Sequence, residues 1–415
     1  MLKTVLKNTS YLLTHQAINK LLFTILIVFI ARCLGPAALG EYAFTFVFEY
    51  ILLLAVTLGS REYIVRELSR DKKLVPKVVG NITLINTVLM LLSLPPVLLA
   101  SAALYPSRTH LLLRLIWVDA FLASYITIFT SIFRSYEKMQ YEAVANIIHD
   151  LTVVVGSILL ISRGFGILHV ILMFIVGKSI SFLYSSFIML KHFPAPSFDA
   201  DFRPYGRLIF KSIPFLVNGV FMLIIFRLDV LMIGLIRGET EVGLYESGYA
   251  IVRNLGLLSL VFVTALFPML SRLHKADKTR LYKTYKRAFK YMLAVNIAVI
   301  TLVILFSKII VSILYGPPFM EAVGLMHLLV VGGLFLNMTT LNAYLLNAVK
   351  KEVKNVFFVG SAAALNVALN LALIPRLGYY GAAVATLITY LMLFIIQMTY
   401  ITKKIAVNVK RDGKN

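Results

Sequence analysis

The sequence has one cysteine, Cys33, so no intramolecular disulfide can form. Cys33 is expected only to pack near the outer end of a first apolar segment. Charge is scarce: Asp, Glu, Lys and Arg make up 14% of 415 residues. The acidic share is smaller still, 19 residues against 41 basic ones. There is no full Gly-x-x-x-x-Gly-Lys-Ser/Thr phosphate loop, since Gly177-Lys178-Ser179 has Leu172 where the first glycine would stand; nor is there a cluster with metal-ligand spacing or a nucleophile elbow. These absences remove a built-in ATPase, a metal centre and a serine hydrolase, and no cofactor is expected. Long polar stretches are also missing. A soluble catalytic domain has nowhere to sit, so an integral-membrane glycosyltransferase or polymerase is the least favoured reading and no enzyme is expected. Asp199-Ala200-Asp201 spells the D-x-D of metal–nucleotide-sugar sites, but its loop is too short for a nucleotide fold and reads as a solvated linker.

Hydrophobic residues are abundant, at 60% of the chain, and the mean hydropathy is +0.86. A soluble protein of this length could not bury so much apolar surface. Apolar runs of about 20 residues, the length that crosses a hydrocarbon core, recur throughout. Twelve spans are predicted, at approximately 10–33, 43–60, 78–104, 111–133, 143–162, 166–190, 208–236, 243–271, 289–314, 322–348, 355–375 and 380–402. They must be helices, because lipid offers the backbone no partners. Lys3 and Lys7 precede the first span without a small-residue cleavage pattern, so that span is expected to stay uncleaved. The second span is short unless it extends into 61–70. Pro95-Pro96, Pro214 and Pro268 should kink their helices or delay their start.

The formal charge of +22 is explained by topology. With a cytoplasmic N-terminus, about 30 Lys and Arg fall on the inner side and about six on the outer, as the positive-inside rule requires. Nucleic-acid binding is therefore not expected. The C-terminus is then cytoplasmic too, in a multi-pass protein of the cell membrane.

The chain also repeats itself. Gly35-Pro36-Ala37-Ala38-Leu39-Gly40-Glu41-Tyr42 and Gly238-Glu239-Thr240-Glu241-Val242-Gly243-Leu244-Tyr245 keep their glycines and tyrosine in register about 203 residues apart. Ile161-Ser162-Arg163 and Ile374-Pro375-Arg376 echo each other at about 213. The two most basic inner loops, Arg61 to Lys77 and Arg272 to Lys290, follow the second and eighth spans. Six spans per half leave both halves in one orientation, as parallel repeats. The expected architecture is an all-α polytopic membrane protein. About twelve transmembrane helices form two parallel six-helix lobes, 1–200 and 201–415, around a central cavity. The loop near 191–207, with Pro194, Pro196 and Pro204, is the expected linker.

Charges inside spans are costly and mark cavities or partners. They are Lys20, Glu49, Asp119, Asp150, Lys178, Arg227, Asp229, Glu246, Arg253 and Lys308, with His149 beside Asp150. Lys20, accompanied by Thr14, Gln16 and Asn19, joins Lys178, Arg227 and Arg253 as candidates for a cationic, phosphate-binding lumen. The competing reading is local pairing. Arg253 could meet Glu246, seven residues away on one face, whereas Arg227 and Asp229 are two apart and do not face each other. Lys308 should snorkel to the interface. Asp229, Asp150 and Glu246 are candidates for coupling to H⁺ or Na⁺, or for neutralising neighbouring cations.

These residues resemble the oligosaccharide-lipid flippases of the multidrug/oligosaccharidyl-lipid/polysaccharide exporter superfamily. Ile30-Ala31-Arg32-Cys33-Leu34-Gly35-Pro36 with Gly40 and Tyr42 is similar to that family's turn after the first helix. Gly59 with Arg66-Glu67 resembles the end of its second helix. Ser212-Ile213-Pro214 with Asp229 and Gly234 resembles its seventh, and Gly243-Leu244-Tyr245 the turn that follows. Ile374-Pro375, Gly378 and Gly381-Ala382-Ala383 resemble its last junction. The resemblance implies movement of a polyprenyl-(di)phosphate-linked oligosaccharide from the cytoplasmic to the outer leaflet by alternating access, for surface-glycan assembly. It implies a lipid-linked oligosaccharide and the bilayer as partners. Some branches carry fourteen spans, whereas this sequence reads as twelve. The alternative is a multidrug or cation antiporter of the same superfamily, which would place acids and not Lys20 in its cavity.

Overall fold

The computed structural model describes residues 2–104, 107–194, 197 and 203–406, and every regular element among them is a helix. The Asp199–Asp201 motif and part of the expected linker lie outside the described residues. Eleven helices are long and apolar enough to cross a membrane. The first of them, Ser10–Thr57, runs 48 residues, about twice the length a bilayer needs. It breaks at Gly35, whose φ of 82° and ψ of −176° are non-helical. Counting its two halves separately restores the twelve predicted spans.

The chain divides into two compact units, Met1–Leu223 and Ile224–Asn415. The first holds α1 (Leu2–Thr57), α2 (Ser60–Arg70), α3 (Val75–Leu104), α4 (Ser107–Ser135), α5 (Met139–Ser162) and α6 (Ile167–His192). The division falls within α7 (Arg203–Arg237). The second unit continues with α8 (Glu239–Ala276), α9 (Lys278–Leu305), α10 (Ser307–Leu314), α11 (Ala322–Ala348), α12 (Glu352–Leu377) and α13 (Tyr379–Tyr400).

The sequence repeat is also a backbone repeat. Gly238, between α7 and α8, has φ 91° and ψ 175°, nearly the conformation of Gly35. Side chains avoid this region of φ/ψ, so glycine is needed at both positions. Pro36 follows Gly35 directly, where its missing N–H costs a new helix nothing. In the second unit the break is also stitched by side chains. Arg237 Nε lies 3.1 Å from Glu241 Oε1, and Glu241 Oε2 accepts from the Tyr379 amide at 2.9 Å. The junctions at α7–α8 and α12–α13 are thereby tied together.

Differences from the sequence reading have local causes. The second span does not extend into 61–70: Leu58 (φ 49°) and Gly59 (φ 67°) turn left-handed, and amphipathic α2 begins afresh. The ninth span is interrupted at Phe306, giving the separate α10. Pro95-Pro96 lies within α3 and Pro268 within α8 without breaking either helix; Pro214 falls within α7. Cys33 is exposed and does not pack as expected, because it falls on an outward face of α1 next to exposed Arg32. Lys308 is exposed on α10, in keeping with a snorkelling role.

Each unit has its own apolar core. In the first, Ile64 and Leu68 of α2 pack with Val79 and Ile82 of α3 and with Ile132 and Phe133 of α4. In the second, Leu270 and Leu273 of α8 pack with Leu281 and Tyr285 of α9 and with Leu341 and Leu345 of α11. Lipid tails are as apolar as leucine, so close helix approach depends on small residues and hydrogen bonds. Gly177 of α6 shows this: a Cβ there would come within 3.1 Å of the His149 carbonyl oxygen on α5.

Candidate functional site

The first unit gathers its titratable residues where α1, α4, α5 and α6 meet. Asp150 of α5 is buried and accepts three hydrogen bonds. They come from His15 Nε2 at 3.1 Å, Asn19 Nδ2 at 2.9 Å and His149 Nδ1 at 3.0 Å. Beside this triad, Lys178 of α6 lies within electrostatic reach of Asp119, Glu49 and Asp150. Asp119 is fully buried, and its carboxylate oxygens have no hydrogen-bond partner among the described residues. A buried carboxylate without donors needs a nearby cation, and Lys178 fills that place. Lys178, read from sequence as a lumen cation, therefore sits among acids inside its own unit. Lys20 is half-buried on α1. Of its predicted companions, Thr14 and Gln16 are exposed, while Asn19 is committed to Asp150.

A second polar feature of this unit is a cavity of about 360 Å³. Tyr50 and Thr57 of α1, Arg61 of α2, Thr127 of α4 and Asn218 of α7 supply its polar lining. Arg61 also reaches Glu142 at 3.1 Å, and Arg134 grips the same carboxylate twice at 2.7 Å.

In the second unit Asp229 of α7 is buried and again accepts three hydrogen bonds. The Tyr245 hydroxyl of α8 donates at 2.6 Å, Thr386 Oγ1 of α13 at 2.7 Å and Asn370 Nδ2 of α12 at 2.6 Å. Asn370 also reaches Asn366 Oδ1 at 3.0 Å. Four helices thus converge on one carboxylate, and all of its donors are neutral. Arg227 and Asp229 do not pair, as their spacing predicted.

Arg253 donates to Glu246 Oε1 at 2.7 Å and lies 6.0 Å from the Tyr249 ring centroid. The local pairing expected from the seven-residue spacing is formed. Glu246 is buried, at 3% exposure. Arg227 is half-buried, interacts electrostatically with Tyr249, and makes no ion pair among the described residues. It differs in this from Arg253, which is salt-bridged to Glu246.

Sequence reasoning missed His15, Asn366, Asn370 and Thr386. Asn366 and Asn370 stand four apart on an otherwise apolar helix, a polar stripe that one helical face would bury together. Nothing local marks Thr386 or His15, whose partners lie 157 and 135 residues away. Among the described residues no group of His, Cys, Asp and Glu could hold a metal ion.

With this geometry in place, the class is that of multi-pass membrane proteins with the fold of the MOP superfamily. Over 95% of its length the chain superposes on an inward-facing multidrug resistance MATE transporter of that superfamily, covering 96% of it, at TM-score 0.78 and 16% identity. It superposes equally on the lipid II flippase MurJ in an inward closed conformation, over 95% of this chain and 90% of that one, at TM-score 0.77 and 16% identity. The chain belongs to the polysaccharide biosynthesis protein family, whose profile matches residues 5–274. An uncharacterised membrane protein of Methanocaldococcus jannaschii is 23% identical over 68% of this chain and 57% of its own. A probable low-salt glycan biosynthesis flippase, Agl15 of Haloferax volcanii, is 22% identical over 63% of this chain and 55% of its own. The chain spans a little over half the length of these curated relatives.

Proposed function

We propose that this protein flips a polyprenyl-(di)phosphate-linked oligosaccharide from the cytoplasmic to the outer leaflet by alternating access, for surface-polysaccharide or glycan assembly. On this reading it is a transporter and not an enzyme. It sits in the cell membrane with both termini cytoplasmic, and its working lobes are 1–200 and 201–415 around a central cavity. The observation that carries the proposal is Arg227, a half-buried cation inside a span with no carboxylate partner among the described residues. Such a charge is costly in a membrane unless an anionic ligand or water meets it. Family membership and the similarity to a glycan flippase support the cargo. Lys20 is the second lumen cation. Arg253, paired with Glu246, is the third, and Lys178 acts through the acids around it.

The physical task is plain. Sugar hydroxyls and phosphates lose several kcal/mol each when stripped of partners in hydrocarbon, and a cationic cavity restores those partners. Asp229 and Asp150, each fixed by three hydrogen bonds, are the proposed coupling groups for H⁺ or Na⁺, and Glu246 is a third. The drug-antiporter alternative draws on the MATE fold, but it leaves Lys20 and Arg227 unexplained.

The test uses purified protein in liposomes carrying a fluorescent polyprenyl-diphosphate oligosaccharide, with and without imposed H⁺ or Na⁺ gradients. Wild type should move the lipid between leaflets faster than protein-free vesicles, and Arg227→Ala or Lys20→Ala should stop it while inserting normally. Full activity in both variants would remove the cationic-lumen argument. Uptake of a lipophilic cation with no lipid movement would establish the antiporter instead.

A further inference from the structure

A second cationic feature lies in the C-terminal unit, apart from Arg227 and the Asp229 network. At the end where that unit's basic loops lie, helix ends converge on a cavity of about 310 Å³. Its rim carries His274 from the last turn of α8, Lys278 at the start of α9, Lys351 capping α12, and Lys404 on the π-turn Ile401–Ala406 after α13. Its floor is Leu281, Val349, Tyr400 and Ile405. Lys350 adds to the field, since it and Lys278 both act electrostatically on His274. No aspartate or glutamate is among the lining residues.

A positive-inside bias accounts for basic loops in general, but it does not require lysines from three separate segments, the starts of α9 and α12 and the turn after α13, to share one hollow. Lys351 and Lys404 stand on one hollow whose lining holds no acid, a concentration of positive charge that an anionic ligand would relieve. The hollow is also amphipathic. Leu281 is 1% exposed and Val349 7%, so the floor is part of the apolar core, while the rim is lysine. Lysine ammoniums are compact, hydrated point charges suited to phosphate without bidentate geometry. An apolar floor beneath a lysine rim, at the level where the helices leave the hydrocarbon, fits a phosphate that arrives with acyl chains attached better than a free one. We infer that this cavity binds the phosphate headgroup of an anionic membrane lipid. The inference rests on the membrane-spanning fold alone and is independent of the cargo.

The test measures melting temperature of the full-length, detergent-solubilised protein against added dioleoylphosphatidylglycerol. Dioleoylphosphatidylcholine and inorganic phosphate are run in parallel. The phosphatidylglycerol should raise the melting temperature saturably. Lys351→Gln/Lys404→Gln should need about 25-fold more lipid for the same shift, about fivefold per lysine. Lys283→Gln/Lys290→Gln removes the same charge from exposed α9 positions outside the cavity and should respond as wild type does. Lys351→Arg/Lys404→Arg should keep the response, which separates charge from misfolding. If the glutamine pair does not fold, Lys404→Gln alone carries the same test at about fivefold. Equal weakening in the cavity and control pairs would reduce the effect to diffuse loop charge and overturn the site. Protection by inorganic phosphate equal to that by lipid would overturn the lipid assignment.

Discussion

The two halves of this protein share a backbone device but fill it with different chemistry. Tyr42 and Tyr245 are repeat equivalents, and the same spacing pairs Phe46 with Tyr249. In the first unit Tyr42 and Phe46 pack on Phe174 of α6, with ring centroids 6.1 Å and 4.3 Å away. In the second, Tyr245 and Tyr249 stack at 5.8 Å. There the Tyr245 hydroxyl serves Asp229, and the Tyr249 hydroxyl lies 3.4 Å from that of Tyr390. Position 26, equivalent to Asp229, is a fully buried leucine. The first unit places its own thrice-bonded aspartate on α5, where the equivalent residue of α12 is the buried Ala363. The repeat therefore conserves where helices break and pack, while each half chose its own place for a buried carboxylate. One carboxylate is held by two imidazoles and an amide, and the other by two hydroxyls and an amide.

The largest expected effect breaks the comparison at its polar end. Asp229→Ala leaves the Tyr245, Thr386 and Asn370 donors without their acceptor inside a four-helix junction. Each orphaned buried donor costs about 1–3 kcal/mol, and hydrogen bonds within membranes average toward the low side of that range. A loss of about 2–4 kcal/mol is expected, seen as a lower midpoint of thermal unfolding. Asp229→Asn keeps an acceptor oxygen and should lose less than half as much. Asp150→Ala should cost less than Asp229→Ala, because the His15 side chain is 14% exposed, whereas Tyr245, Thr386 and Asn370 are all but fully buried. If Asp150→Ala proves the more damaging, the imidazoles depend on the carboxylate more than the hydroxyls do.

The next effect separates two arginines that sequence treats alike. Removing Arg253 strands Glu246, a carboxylate with 3% exposure whose Oε2 already lacks a hydrogen-bond partner among the described residues. Breaking a fully buried ion pair from one side costs about 3–5 kcal/mol. The Arg253 side chain is 25% exposed, so about 1–2 kcal/mol is expected after discounting for solvent screening. Arg253→Ala/Glu246→Gln should recover most of that loss in a double-mutant cycle. Recovery of nothing would mean that the pair contributes no stability.

How much of this was legible in the sequence follows the range of the interactions. The twelve spans, the Gly35 and Gly238 breaks and the Arg253–Glu246 pair depend on residues within one helix or one turn, and periodicity or spacing displays them. Asp229 was recognisable as an anomaly, but its partners come from α8, α12 and α13. Asn370 is 141 residues away, and no local pattern encodes that meeting. Lys178 shows the converse limit. Its depth in a span was readable, yet its electrostatic neighbours Glu49 and Asp119 belong to other helices, so the acids around it could not be read from its own segment. Whether the second span continued into 61–70 was left open by the sequence, because the left-handed turn that ends it is set by only two residues, Leu58 and Gly59.

The backbone device itself gives the most even comparison. Gly35 and Gly238 adopt nearly the same strained conformation, and at both a Cβ would meet nothing within 4 Å. Alanine at either should cost only the conformational penalty, about 1–3 kcal/mol, and by a similar amount in both halves. Gly378 is a sharper case, because a Cβ there would meet the Glu241 carboxylate that caps Tyr379. Gly378→Ala should therefore exceed both, with unfolding midpoints as the readout. Unequal losses at Gly35 and Gly238 would show that the Arg237–Glu241 stitch, present in one half only, braces its break.

The smallest expected effect is the most informative about function. Arg227 has no carboxylate to strand, and its electrostatic neighbour, the Tyr249 ring, keeps its own hydrogen-bond and stacking partners. Arg227→Gln should change stability by no more than about 0.5 kcal/mol, the range of substitutions that break no buried network. The contrast with Arg253 then becomes diagnostic. A residue retained in a span at a desolvation cost, yet contributing nothing to stability, fits the proposed reading in which its partner is the cargo. A large loss of stability in Arg227→Gln would instead make Arg227 structural and leave Lys20 to carry the lumen alone.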